Sequence, residues 1–188
     1  MATVITGLTG SIDGFFADEH GRIERLYPDL AYLRETSYMR ELIAHTGAVI
    51  MGRRAFEMGP DDQDWYVGNY EFQVPIFVLT HRPPARMPKQ DEHLTFTFVT
   101  DGLASAVAQA KAAARDRDVQ AIGGISVVQQ LLRTGLADEL HIDVMPVVLG
   151  AGRRLFEDLD GLGLEKIDVT ETGARTSFRF RVRKGRPA

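Results

Sequence analysis

The apolar positions of this chain follow two periods, one typical of strands and the other of helices. Residues 3–8 alternate as in a half-buried strand, and residues 75–80 (PIFVLT) form a continuous apolar run, typical of a strand buried on both faces of a parallel sheet. Further strands are predicted at residues 48–51 and 95–99, and helices at residues 29–45 and 103–117. Strands that alternate with helices predict an α/β sheet with helices on both faces.

The second half of the chain begins in the same way and then changes. A buried strand from residue 119 leads through Gly123-Gly124 into a helix that starts at Ile125-Ser126. A long apolar strand is predicted at residues 139–149, and strands at 164–170 and 177–183 have no helix between them, so the sheet should finish in an antiparallel pair. Residues 9–22 and 60–70 have no period and are predicted to be surface loops. With no linker or repeat, we expect residues 1–188 to form a single domain.

Composition excludes several classes of function. The 44% apolar content suffices for one core, and the net charge of −4 argues against a nucleic-acid partner. No cysteine is present, which excludes disulfides, thiolate metal sites and the zinc-deaminase signature. No run of about 18 apolar residues and no secretory signal is present, so we expect a cytoplasmic location without a membrane span.

Groups that suit an anion follow three of the predicted strands. Such groups sit at Gly52-Arg53-Arg54, at Thr80-His81-Arg82 and at Gly123-Gly124-Ile125-Ser126. Ligands of open α/β sheets bind outside the carboxyl ends of the strands, where a glycine lets backbone approach a phosphate and a helix N-terminus points its N–H groups at it. Singly, each group could be only a turn, a solvated helix start or a loop. Together they predict a dinucleotide site, and the extra arginines favour NADPH over NADH.

Other candidate sites are less complete. His141 and Asp143 would share one face of a strand and could hold a metal, but a third ligand is missing, so we predict an ordinary polar face and no metal. The glycine-rich residues 149–154 lack the Walker lysine and are predicted to be a turn, with Arg153 or Arg154 facing a substrate or a partner subunit. No serine lies in a nucleophile elbow.

Five segments carry a resemblance to a known family. They are SIDGFFA (residues 11–17), VIMGRRAFE (49–57), FVLTHRP (77–83), AIGGISVVQQLL (121–132) and GLADELHIDVMPVVLGAGRRLF (135–156). The sequence resembles the reductase domain that forms the C-terminal part of the riboflavin-biosynthesis deaminase-reductase, within the dihydrofolate reductase-like superfamily. The resemblance implies a three-layer α/β/α fold around a mostly parallel eight-stranded sheet. The deaminase half is not in this sequence, so we expect a stand-alone member of the family.

The resemblance also implies roles for particular residues. Ile12, Asp13 and Phe15 would lie near the nicotinamide and the substrate, although Asp13 could instead be only a turn former before Gly14. Asp29 resembles the catalytic acid of dihydrofolate reductases, although it could instead be a helix N-cap. The substrate would be the pyrimidine of riboflavin biosynthesis or a pterin, and the protein would be a homodimer. A non-catalytic nucleotide-binding module is the alternative. The implied NADPH contacts are Gly52, Arg53, Arg54, Thr80, His81, Arg82, Gly123, Gly124, Ile125, Ser126 and Val127.

Overall fold

The structure is a computed structural model that describes residues 2–60 and 62–183. The described residues form eight strands: β1 (Val4–Ser11), β2 (Thr46–Gly52), β3 (Ile76–Leu79), β4 (Phe96–Val99), β5 (Asp118–Ala121), β6 (Glu139–Met145), β7 (Gly163–Thr172) and β8 (Arg175–Arg183). They make one sheet in the order β4-β3-β2-β5-β1-β6-β8-β7. All pairs from β4 to β6 are parallel, whereas β8 is antiparallel to both β6 and β7. The predicted sheet with its C-terminal antiparallel hairpin is confirmed.

Helices cover both faces of this sheet, as predicted. They are α1 (Leu30–Arg34), α2 (Ser37–His45), α3 (Arg53–Phe56), α4 (Tyr66–Asn69), α5 (Leu103–Ala114) and α6 (Ile125–Arg133). α5 and α6 pack into one core, and α3 and α4 into another. β2 lies between the two cores, with Ile50 in the first and Met51 in the second, which explains why its residues are apolar on both faces. None of the described helices combines the length and the hydropathy that a bilayer crossing requires.

The helix predicted over residues 29–45 is in fact two helices. Thr36 interrupts it with extended backbone (ψ 155°). The Oγ1 of Thr36 accepts a hydrogen bond from the N–H of Met39, in the first turn of α2. A threonine stabilises a new helix start better than it continues an old one, because its side chain satisfies a free N–H group. The near-helical spacing could not reveal this break because the apolar positions keep their period across it.

Two other boundaries also differ from the predictions. β6 ends at Met145, four residues early, because Pro146 has no N–H group to donate to a neighbouring strand. Residues 60–70 are not simply a surface loop: Tyr66 is 98% buried there, and its ring stacks on Phe56 with 5.5 Å between centroids. Aromatic packing thus orders a segment that has no periodic pattern of its own.

Candidate functional site

The carboxyl ends of the central strands meet at a large cleft. Where β2 and β5 end, the N–H of Gly52 donates to the carbonyl of Gly123 at 2.7 Å, and the N–H of Ile122 donates to Ile50 at 3.0 Å. On the other side of β2, β3 runs in register with it up to Gly52 and Leu79. The cleft that opens beyond these ends has a volume of about 1170 Å³. A volume of this size accommodates a dinucleotide.

The structure brings most of the predicted cofactor residues to this cleft. The carbonyl of Gly123 accepts the hydrogen bond from Gly52. The Thr80 hydroxyl donates to the carbonyl of Arg82 at 2.9 Å and accepts from the N–H of Arg82 at 3.2 Å. Gly123 and Arg82 themselves do not lie on the cleft wall. The predicted residues that do line it are Gly52, Arg53, Arg54, Thr80, His81, Gly124, Ile125, Ser126 and Val127.

The Gly123-Gly124 turn leaves free space at the start of α6. Gly123 has φ +115°, a conformation that favours glycine, and the peptide bond that joins it to Gly124 is cis. Gly124 is the N-cap of α6, where no side chain makes a capping hydrogen bond. A Cβ built on Gly124 would meet no atom within 4 Å. The first turn of α6 therefore faces open space, where its N–H groups can meet an anion.

Positive charge is concentrated around the cleft although the chain carries a net charge of −4. Among the described lining residues the single acid is Glu157. The loop after β6 reaches the cleft because it is held to the loop after β1: the N–H of Phe16 donates to Arg153 at 2.8 Å, and the N–H of Arg153 donates to Ala17 at 2.9 Å. The lining residues that carry or can acquire positive charge are His20, Arg53, Arg54, His81, Arg153 and Arg154.

Three tyrosines that the sequence did not single out also line the cleft. They are Tyr27, Tyr66 and Tyr70, and burial raises the pKa of each phenol above its usual range. They are therefore neutral hydrogen-bonding groups at any physiological pH. Tyr66 and Tyr70 lie in the segment read as a loop, and the backbone between them is not helical at Val67 and Gly68. Nothing in the sequence distinguishes Tyr27 either.

Asp29 lies behind the cleft wall and binds a buried arginine. Its Oδ1 accepts from Nη2 of Arg175 at 2.8 Å, and Nη1 of Arg175 donates to Thr9 at 2.7 Å and to Asp143 at 3.3 Å. Arg175 is fully buried, with its guanidinium 5.2 Å from the ring centroid of Tyr27. Asp29 occupies the N-cap position of α1, as the alternative predicted, but its carboxylate makes no capping hydrogen bond there. Its role as a catalytic acid stays a prediction.

The residues predicted beside the substrate also lie off the cleft wall. Ile12 is 65% exposed, and Phe15 packs under Arg154, whose guanidinium carbon is 4.3 Å from the ring centroid. Asp13 accepts hydrogen bonds from the N–H groups of Leu149 at 3.2 Å and Gly150 at 2.7 Å. Asp13 thus ties the loop after β1 to the loop after β6, and a substrate role for these three residues stays a prediction.

The hydrogen bonds to Asp13 make a pH-dependent contribution to stability. Bonds from Ser11 and from the two N–H groups lower the pKa of Asp13 to about 2, below the usual value near 3.9. The contribution is thus complete above about pH 4 and is lost as the pH falls towards 2. We expect Asp13→Asn to lower the midpoint of urea unfolding at pH 6, with a difference from wild type that shrinks below pH 4. Asp160→Asn, at an exposed loop position, should show no such pH-dependent difference.

His141 and Asp143 do share one face of β6. His141 lies 3.0 Å from the Glu139 carboxylate, and burial lowers its pKa, whereas Asp143 is bound by Arg175. In the described part of the chain, no three His, Asp or Glu side chains come close enough together to hold a metal ion.

The comparison with known families decides the family of this chain. A model of the RibD C-terminal domain matches residues 2–178. The chain belongs to this family. The resemblance drawn from the five sequence motifs is therefore confirmed, and the fold is of the reductase type.

Solved structures agree with the RibD C-terminal fold. A protein from Shewanella sp. PV-4 that is provisionally assigned to riboflavin biosynthesis is 22% identical, with a TM-score of 0.75 over 98% of this chain and 100% of that one. The deaminase/5-amino-6-(5-phosphoribosylamino)uracil reductase of Thermotoga maritima is 15% identical (TM-score 0.68, 96% of this chain, 56% of that one). Dihydrofolate reductase of Enterococcus faecalis, solved with NADP(H), is 15% identical (TM-score 0.60, 97% of each chain).

Proposed function

We propose that this member of the RibD C-terminal domain family is an NADPH-dependent reductase that transfers a hydride to a small heterocycle, a pyrimidine of riboflavin biosynthesis or a pterin-like compound. The observation that carries the proposal is the cleft itself. Three strand ends converge on it, its wall is basic, and open space lies over Gly124 at the start of α6. These are the features that a phosphorylated dinucleotide needs.

The residues present fit the cofactor. The N–H groups in the first turn of α6 suit a pyrophosphate, since a Cβ at Gly124 would occupy the open space in front of them. Arg53 is partly neutralised by Glu57, with 2.7 Å between Nε and Oε1. Arg54 has no carboxylate partner among the described residues, so its guanidinium is available for the 2′-phosphate. When bound, NADPH would supply the hydride.

The remaining part of the cleft suits a flat polar ring. Met51 gives an apolar surface near the end of β2, and Tyr27 and Thr9 carry hydroxyl groups on the wall, whereas the Tyr66 hydroxyl donates to the carbonyl of Phe56 at 3.0 Å. Most of the rate acceleration would come from holding the ring at the cofactor and from excluding water. Asp29, or water admitted near it, stays our candidate for the proton source; Asp29 itself binds Arg175 and does not line the cleft.

Titration with NADPH, followed by its fluorescence, tests the proposal. Saturable binding below millimolar concentration is expected. Its absence would refute the proposal that NADPH is the cofactor and, with it, the proposed reductase activity. The alternative, a non-catalytic NADPH-binding module, is favoured if NADPH binds but is not consumed with a panel of pterins, pyrimidines and quinones. The cytoplasmic location and the homodimer stay predictions. We expect the long apolar segment at residues 140–149 to take part in the dimer contact, and Val148 in this segment is 61% exposed.

Arg54 should set the preference for NADPH over NADH. We expect Arg54→Gln to weaken NADPH binding by about tenfold or more and to leave NADH binding nearly unchanged, since a charge-assisted bond to phosphate contributes about 1.5–3 kcal/mol. Arg117→Gln is the matched control, because Arg117 is exposed just before β5, at the amino end of that strand and away from the cleft. Equal losses for the two cofactors would show that Arg54 does not contact the 2′-phosphate.

A further inference from the structure

One face of the β7-β8 hairpin is left open by the described helices. The helices on that side of the sheet, α5 and α6, make their main contacts with β1 to β5. The hairpin lies beyond them, at the end of the sheet, in the order β6-β8-β7. Leu164, Ile167 and Val169 of β7 are accordingly 36%, 43% and 43% exposed. Three apolar side chains of one strand are thus open to solvent at the edge of the sheet.

The register of the hairpin shows which side chains share this face. Residues that stand opposite each other on antiparallel strands point to the same face. Leu164 pairs with Val182 and Val169 with Phe178. Val182 belongs to the core under α5 and α6, and the ring of Phe178 stacks on that of Phe180 with 6.3 Å between centroids. These side chains form one apolar surface that extends from this core to the edge of the sheet. We call it the hairpin face.

The other face of β7 is polar. Glu165 pairs with Arg181, with 3.4 Å between carboxylate and guanidinium, and Asp168 accepts a hydrogen bond from the Thr170 hydroxyl at 2.8 Å. An antiparallel sheet with one face in water normally has polar side chains on that face and apolar ones on the packed face. The pattern of β7 therefore indicates that its hairpin face is packed against another surface.

Two charged residues flank the apolar part of the hairpin face. Lys166 pairs with Phe180 and Glu171 with Thr176, so both side chains point to this face. Both are exposed, and neither has an ion-pair partner within residues 2–60 and 62–183. Val169 lies between them along the strand. The hairpin face thus has one positive and one negative end.

We infer that the hairpin face binds the hairpin face of a second copy of this chain in a two-fold dimer. A two-fold axis perpendicular to β7 near residues 168–169 sets the two strands antiparallel, so that Lys166 of each copy lies opposite the partner's Glu171. Each copy then supplies the same apolar surface and both charges, as a two-fold contact requires. Burial of this apolar surface would also account for its exposure in the single chain.

This surface differs from the segment at residues 140–149, which we also expect in a dimer contact. Residues 140–145 lie in β6, whose two edges are occupied by β1 and β8. Residues 146–149 follow the strand, and Val148 among them is 61% exposed. A charge at Val148 and a charge at Val169 therefore test the two surfaces separately.

Sedimentation equilibrium measures the effect of these two changes. At concentrations up to about 100 μM, wild type should show a mass near twice 20.9 kDa. Val169→Asp should show the mass of a single chain, because the contact would bury a carboxylate among apolar side chains. Val169 is exposed in the single chain, so this change should affect folding little. Val148→Asp is the matched control and should remain a dimer.

Reversal of the charges tests the antiparallel arrangement. Lys166→Glu should raise the dissociation constant of the dimer by about tenfold, since two attractive pairs become repulsive. The double variant Lys166→Glu/Glu171→Lys restores both pairs with reversed sign and should dimerise as wild type does. Such a recovery could not come from loss of structure.

Three results would overturn the inference: a single-chain mass for wild type, a dimer that survives Val169→Asp, or a double variant that stays as weak as Lys166→Glu. None of these residues lines the cleft, so all variants should bind NADPH as wild type does. The outcome is therefore independent of the reductase proposal.

Discussion

Arg175→Met should destabilise the protein by about 3–5 kcal/mol, the range found when one partner of a buried ion pair is removed. Arg175 is fully buried and binds the carboxylates of Asp29 and Asp143, whose side chains are only 18% and 16% exposed. Without the guanidinium, both carboxylates lose their charged partner, and Thr9 loses a hydrogen-bond donor at 2.7 Å. The measurement is urea unfolding at neutral pH, with the free energy extrapolated to water.

The matched control for Arg175 lies on the same strand. Arg181→Met removes an arginine whose side chain is 59% exposed and whose ion pair with Glu165 is long, at 3.4 Å. An exposed pair contributes little, so the free energy of unfolding should change by less than about 1 kcal/mol. If both variants lost the same small amount, Arg175 would not be the link that joins β8 to β6 and to the segment before α1.

Gly124→Val should weaken NADPH binding by about a hundredfold or more while leaving the fold nearly intact. The backbone of Gly124 (φ −71°, ψ −175°) is one that valine adopts readily, and a Cβ there would meet no atom within 4 Å. The added side chain would occupy the space in front of the first turn of α6, where the pyrophosphate is proposed to bind. Fluorescence titration with NADPH measures the loss, and urea unfolding should show a change below about 1 kcal/mol.

Ala108→Val is the control for added bulk, because Ala108 is exposed on α5 and does not line the cleft. It should bind NADPH as wild type does. Undiminished binding by Gly124→Val would contradict the placement of the phosphates at α6, and the cofactor would then have to bind elsewhere in the cleft. Loss of structure in this variant would contradict the open space at Gly124.

Local pattern was sufficient for most of the fold. Continuous apolar runs such as residues 75–80 predict strands that are buried on both faces, because helices cover both faces of a parallel sheet. The Gly123-Gly124 turn before a helix likewise predicts an anion site, because the groups that would bind the anion lie in consecutive residues; that site stays a prediction. The layers and the antiparallel end of the sheet follow from such local signals together with the family motifs, whereas the strand order is known only from the structure.

Contacts between distant residues could not be predicted in this way. Arg175 and Asp29 are 146 residues apart, and Arg175 and Asp143 are 32 apart, so their meeting depends on strand pairing and on where α1 begins. Tyr66 joins the core through rings from other elements, which its own polar segment does not foreshadow. Periodicity records which face of an element is apolar, whereas a polar network depends on which faces meet, and that is settled when the layers pack.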